Sequence, residues 1–247
     1  MSLTGERLVA FANIHNFRDL GGYTGLDGAT VRWRRLYRSD DLSRVTGADQ
    51  EVFTALGVRT VVDLRRPVEV ENIGRIPPFD GFTYHHIHLD YPSWQAAQFA
   101  DTEERSAYVT ERYLEMAESA TVGMGAALRM IADADQAPLV FHCIAGKDRT
   151  GVVAALTLSL LGVPDADIAA DYHLSEGAEA ANWAWYRSRD SNLTADRRWQ
   201  NITVSPPQAM LDFLAELRRR QGSVEAYAAS IGVTPAHVEA MRTHLLD

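Results

Sequence analysis

The one cysteine of the chain stands in the run His142-Cys143-Ile144-Ala145-Gly146-Lys147-Asp148-Arg149-Thr150-Gly151, six residues before Arg149. Residues of these types at this spacing suit attack on a phosphate ester through a covalent intermediate. That reaction needs an anionic nucleophile, fixed donors for three phosphate oxygens and a proton for the departing oxygen. Cys143 would supply the sulfur. Backbone N–H groups of Ile144, Ala145, Gly146, Lys147 and onward to Thr150 can turn inward as an anion nest, with Gly146 free to adopt a left-handed conformation. A helix starting after the loop would add its positive end, and the same field favours the thiolate over the thiol. Arg149 offers a planar fork that grips two phosphate oxygens at once. The Thr150 hydroxyl is placed to bond the sulfur and ease its departure in a second step.

At average residue frequencies, chance delivers a His-Cys lead, a glycine three residues after the cysteine and Arg-Thr three further on in on the order of one chain in 10⁴. A nucleotide-binding loop is the nearest imitation, but it requires a glycine where Phe141 stands and Ser or Thr where Asp148 stands. Lys147 is the sole lysine among 24 Lys plus Arg residues. A lone lysine placed at random would fall in this ten-residue loop with a probability of about 0.04. Three aspartates compete to be the proton donor: Asp148 in the loop, Asp63 at the end of a strand and Asp90 after a histidine-rich stretch. Any losers are expected to serve as caps or ion-pair partners, Asp63 with Arg65 for example. His85, His86 and His88 lack a nearby acidic or thiol ligand at metal-binding spacing, so no metal site is expected there.

These residues must be carried by a core. Alternation predicts a strand over Val31–Arg38 and buried strands over Thr60–Leu64, Phe82–Leu89 and Pro138–Phe141. Helical spacing covers Gly47–Leu56, residues 102–134 and Thr150–Leu161, the last stopped by Gly162-Val163-Pro164. Strands separated by helices imply an α/β fold with a mixed or parallel central sheet flanked by helices, in one domain spanning residues 1–247. Residues 165–204 read as further helix bearing Trp183, Trp185, Tyr186 and Trp199 among Arg187, Arg189, Arg197 and Arg198. They form either core-packed scaffold or a helical lid over the site. From residue 205 to 247 three short amphipathic helices are expected as scaffold.

With these motifs the chain resembles the protein tyrosine phosphatase superfamily, and within it the bacterial tyrosine and lipid phosphatases typified by a secreted mycobacterial member. The likeness rests on the loop from His142 to Gly151, on Asn16-Phe17-Arg18-Asp19-Leu20-Gly21-Gly22, on Tyr37-Arg38-Ser39 and on Leu56-Gly57-Val58-Arg59-Thr60-Val61-Val62-Asp63-Leu64-Arg65. It implies phosphocysteine chemistry without metal or other cofactor, on phosphotyrosine and also phosphoserine, phosphothreonine or phosphoinositides. It favours Asp148 as the acid, gives Lys147 extra ring phosphates to meet, and places Arg18 and Asp19 near the site, bracing the loop or pairing with each other. The tryptophan-proline-aspartate triplet of eukaryotic relatives is absent.

Composition narrows the partners. A formal charge of −9 repels nucleic acid and anionic membranes, so an anionic substrate needs a local positive cluster. No run of about 20 apolar residues predicts a membrane span, and no signal peptide is visible, which together predict a cytoplasmic protein acting on phosphorylated protein or phosphoinositide. A rhodanese-like sulfurtransferase also carries a loop cysteine on an α/β fold, but the His142 lead and the Asp148-Arg149-Thr150-Gly151 tail speak against it. A catalytically silent phosphate-binding module is the other alternative, weakened by the intact loop.

Overall fold

The strands fix the layers, because neighbouring side chains on each point to opposite faces. On β2 (Leu36–Ser39), β3 (Thr60–Asp63) and β5 (Leu139–His142), the residues Leu36, Val62, Leu139 and Phe141 enter one core, while Tyr37, Val61 and Val140 enter another. All four residues of each of these strands are buried, as expected of a sheet covered on both faces. The computed structural model describes residues 7–92, 94, 102–189 and 204–247, and of residues 183, 186, 187 and 189 the backbone alone.

With β1 (Arg18–Asp19) and β4 (Thr83–His86), the sheet runs in the order β1-β2-β5-β3-β4. β1 pairs antiparallel with β2, and the remaining pairs are parallel. The expected mixed α/β architecture is therefore present. One face is closed by Phe17, α1 (Ala48–Ala55) with Phe53, and an aromatic cluster of Phe79 and Phe82, rings meeting edge to face. α2 (Pro67–Ile73) follows β3. The other face is covered by α3 (Thr102–Ser119), α4 (Thr121–Ala132), α5 (Asp148–Leu160), α6 (Asp165–His173), α8 (Pro207–Gln221), α9 (Val224–Ser230) and α10 (Pro235–Leu245), all contributing to the larger core. Between them α7 (Glu176–Arg189) follows α6. α5 is apolar nearly all round and buried along almost its whole length, the pattern of a central helix.

Three elements depart from expectation. The buried strand expected over Phe82–Leu89 is only Thr83–His86, an edge strand with none of its residues buried. The strand expected over Val31–Arg38 shrinks to Leu36–Ser39, because Trp33 and Arg34 form a turn in which Arg34 takes a φ of +60°. The Asp19 carboxylate captures the Arg34 N–H at 2.7 Å and so withdraws it from the ladder, leaving Val31 a single bridge to Leu246. α5 starts at Asp148, two residues earlier than expected, which puts Asp148 and Arg149 in its first turn. Among the described residues no helix is long and apolar enough to cross a membrane.

Candidate active site

β5 is the central strand, and its carboxyl end runs straight into the loop that begins at Cys143. Crevices beyond the carboxyl ends of parallel strands are where such sheets hold ligands. Loop carbonyls are pulled outward by donors from the amino-terminal third of the chain. Asp41 N–H donates to Ile144 O at 3.1 Å, Asn16 Nδ2 to Ala145 O at 2.9 Å and Arg38 Nη2 to Gly146 O at 2.7 Å. Holding the carbonyls in this way leaves the amides available to bind an anion. Gly146 has a φ of +66°, and a Cβ there would lie 2.6 Å from Ser39 O and Asp40 N, so no other residue fits.

The donors are themselves anchored. Arg38 pairs with Asp171 on α6 at 2.5 Å, and Arg18 pairs with the same carboxylate at 2.9 Å, all three side chains being buried. Arg18 Nη2 also donates to Ser175, and Arg18 Nη1 to Asn16 Oδ1. Asp40 accepts from the backbone of His15 and Asn16 and pairs with Arg44, whose other nitrogen donates to Asn182 on α7. Arg18 therefore does not pair with Asp19. It acts on the loop through Asn16, and through Asp171 and Arg38, while Asp19 staples a turn by accepting from Gly21 and Arg34 N–H groups.

Burial alone would raise the Asp171 pKa, but Arg18 and Arg38 outweigh it and hold the carboxyl well below the usual range. A depressed folded-state pKa contributes stability above the unfolded value of about 3.9, lost as pH falls through that value and on toward the folded one. Asp171→Asn should leave two buried guanidiniums uncompensated, at a cost of about 3–5 kcal/mol. Thermal unfolding at pH 7 should show a midpoint lowered by roughly 6–20 °C, with the deficit shrinking below pH 4. A deficit independent of pH would contradict the ionic role.

Cys143 is 2% exposed and lies within the electrostatic reach of the positive Arg38 and Arg149. Arg149 is held by Glu69 of α2 in a two-pronged bridge of 2.5 and 2.9 Å. Glu69 is fixed in turn by the Arg66 N–H at 2.6 Å, as part of its own helix cap. Lys147 is not the surface residue that a loop edge would suggest. It is 2% exposed, and its ammonium lies 3.6 Å from Asp148 Oδ1 and donates to Val204 O at 3.3 Å. Asp148 keeps a side-chain exposure of 21% and accepts a hydrogen bond from the Tyr113 hydroxyl at 2.8 Å. The Thr150 hydroxyl is buried without a hydrogen-bond partner among the described residues, so the expected bond to the sulfur is not formed here. A buried hydroxyl left so costs about 1–3 kcal/mol, which a bond to a reacting group would recover.

The rival aspartates stand differently. Asp63 is fully buried, bonded by Arg65 Nε and Nη2 and by Tyr84, with His142 Nε2 at 3.6 Å. Burial would push its carboxyl up, but His142 and Arg65 reverse that and hold it well below the usual range. His142 is itself pushed down by burial toward the neutral form, so the Arg65 guanidinium is the charge that decides. Asp90 is exposed beyond β4, with no hydrogen bond or ion pair among the described residues. His86 Nε2 donates to the Arg65 carbonyl at 2.9 Å and its ring lies 6.0 Å from that of His88, and no metal-binding cluster occurs among the described residues.

Several residues of the site escaped sequence reasoning. Glu69, Tyr113, Asp171 and Tyr172 lie 35 or more residues from the partners they hold in the site, and no local pattern marks them. Glu179 on α7 is half-buried, and its carboxyl is pushed up to about 7 by burial, with Asp148, Glu176 and Asp40 adding to the rise and Lys147 opposing it. Tyr91 and Trp94 stack 5.7 Å apart beside the loop, the Tyr91 phenol within the fields of Arg149, Asp148 and Cys143. Of the candidate cover, Trp185 lies beneath the Arg44 guanidinium, whose central carbon is 4.8 Å from the ring centre. Trp199, Arg197 and Arg198 lie outside the described residues, as do the side chains of Trp183, Tyr186, Arg187 and Arg189.

Comparison with known proteins places the chain in a family. Residues 9–247 match the tyrosine phosphatase family. A Cupriavidus necator protein whose name assigns it, provisionally, to the tyrosine-protein phosphatases is 32% identical over 88% of this chain and 77% of its own. A tyrosine-protein phosphatase of Nostoc commune is 29% identical over 84% and 73%. The triple specificity protein phosphatase PtpB of Mycobacterium tuberculosis is 30% identical over 94% and 96%. With a match that runs almost from end to end and takes in the braces as well as the loop, the chain belongs to the tyrosine phosphatase family.

Proposed function

We propose that this phosphatase hydrolyses phosphotyrosine through a phosphocysteine intermediate, in a single domain over residues 1–247. The observation that carries the reading is the loop after β5, whose Ile144, Ala145 and Gly146 carbonyls accept hydrogen bonds from Asp41, Asn16 and Arg38, an arrangement that supports a nest of amides between Cys143 and Arg149. Cys143 attacks phosphorus, and the S–P bond forms as the P–O ester bond breaks. Arg149, with the amides of Ile144, Ala145, Gly146, Lys147 and Thr150, holds the equatorial oxygens, and Glu69 aims the guanidinium. Asp148 gives its proton to the departing oxygen. Water then attacks phosphorus, Asp148 takes a proton from it, and inorganic phosphate leaves with the thiolate restored.

Tyr91 and Trp94 supply an aromatic wall suited to the ring of phosphotyrosine. Lys147 supports the phosphoinositide reading less directly, since its ammonium is buried and engaged with Asp148 and Val204 and must be drawn out to meet a ring phosphate. The candidate lid narrows as well. Asp171 of α6 and Ser175 just after it are bonded to Arg18, and Asn182 of α7 to Arg44, so any moving cover lies beyond these anchors.

Parallel turnover of a phosphotyrosine peptide, phosphoserine and phosphothreonine peptides, mono- and bis-phosphoinositides, and thiosulfate with cyanide tests the reading. The phosphotyrosine peptide is expected to lead, with Lys147→Ala affecting it through Asp148 and not selectively on lipids. Turnover of thiosulfate alone would replace the phosphatase reading with sulfur transfer, and a bis-phosphoinositide preference abolished by Lys147→Ala would move the substrate to lipid.

A further inference from the structure

Asp148 reaches the site with one carboxyl oxygen already engaged. Tyr113 of α3 donates its hydroxyl to Oδ1 at 2.8 Å, and the Tyr172 hydroxyl of α6 lies 2.8 Å from that of Tyr113. A phenol has one proton to give. Since Tyr113 gives its proton to the carboxylate, Tyr172 is the donor in the second bond, and the chain runs Tyr172 to Tyr113 to Asp148. Bonds aligned in this way polarise and strengthen one another.

Both phenols are buried, at 0% and 1% exposure, and their rings meet edge to face at 5.9 Å. Tyr113 is clamped further by Phe213 at 6.0 Å and Trp94 at 5.8 Å. Burial, then Asp148 and Tyr172, pushes the Tyr113 hydroxyl well above an ordinary phenol, and burial pushes Tyr172 up to about 12 against the pull of Lys147. Both therefore remain donors across the neutral range. Two buried phenols could have satisfied each other or a backbone carbonyl. Here their chain ends on the carboxylate that the Lys147 ammonium, 3.6 Å away, also attracts.

We propose that Tyr113, held by Tyr172, is a positioning residue for Asp148, locking one carboxyl oxygen so that the other faces the leaving group. The inference rests on Asp148 being the proton donor. Without the Tyr113 bond the carboxyl turns toward Lys147, and a misplacement of about 1 Å at a reacting group can cost on the order of 10²-fold in rate.

The test is a double-mutant cycle of Tyr113→Phe and Asp148→Asn, read on phenyl phosphate and on p-nitrophenyl phosphate, whose leaving groups differ in their need for a proton. Tyr113→Phe is expected to lower kcat/KM about 10-fold or more on phenyl phosphate and less than about 3-fold on the nitrophenyl ester. In the Asp148→Asn background the same change should cost less than about 2-fold, because the group it positions is gone. Tyr172→Phe, which keeps the Tyr113–Asp148 bond, should show the same selectivity at smaller size and keeps the test open should Tyr113→Phe misfold. Equal losses on both esters, or an undiminished loss in the Asp148→Asn background, would overturn the positioning role while leaving Asp148 in place. If Asp148→Asn itself fails to distinguish the two esters, the assignment of Asp148 falls and the Tyr113 inference falls with it.

Discussion

Cys143→Ser should retain less than about 1% of wild-type turnover of p-nitrophenyl phosphate while still binding phosphate analogues. The hydroxyl has nearly the shape of the thiol, yet it is not ionised near neutral pH and the loop supplies no base beside it to make it so. Nothing else at the site changes. The amides of the loop, the Arg149–Glu69 bridge and the Asp171 brace do not pass through the sulfur, so the oxyanion cradle survives the substitution. Calorimetric titration with phosphate or vanadate, beside steady-state rates, checks both halves of the expectation. Residual turnover above the stated level would remove the covalent intermediate. Loss of anion binding together with activity would mean that the sulfur shapes the loop and does not only react.

The sequence made the candidate nucleophile legible because the residues it would need are contiguous. Cys143, Gly146 and Arg149 are within seven positions of one another, and the strand before them and the helix after them follow from simple apolar patterning. The braces are another matter. Arg18 and Asp171 are 153 residues apart and Arg149 and Glu69 are 80 apart, so their pairing is set by the topology that brings β1, α2 and α6 to one end of the sheet. No local pattern carries such a distance. The same holds for the strand misread over Val31–Arg38, where a carboxylate from β1 takes one backbone N–H and turns the chain. Asp63 shows how position on a strand can mislead: it ends β3 beside the loop, yet Arg65 two residues on has claimed it. Sequence proximity thus brought forward the candidate reacting groups of the loop and missed the residues that brace them.

Asp148→Asn is expected to reduce turnover of phenyl phosphate, a poor leaving group, by about 10²–10⁴-fold and of p-nitrophenyl phosphate far less, because only the former needs a proton in the transition state. The argument is positional. Asp148 opens α5 one residue before Arg149, keeps part of its surface in contact with solvent, and has its Oδ1 fixed by Tyr113, which leaves Oδ2 for the substrate. Asp63 cannot take over, since the hydrogen bonds from Arg65 and Tyr84 consume its oxygens and keep it ionised. The group that can is Glu179, whose carboxyl is pushed up to about 7 by burial and which shares the electrostatic neighbourhood of Lys147 and Asp148. A plot of log kcat/KM against leaving-group pKa for wild type, Asp148→Asn and Glu179→Gln separates them. Wild type should be nearly flat, Asp148→Asn should fall steeply, and Glu179→Gln should remain flat. A flat line for Asp148→Asn with a steep one for Glu179→Gln would transfer the proton donor from the first turn of α5 to α7.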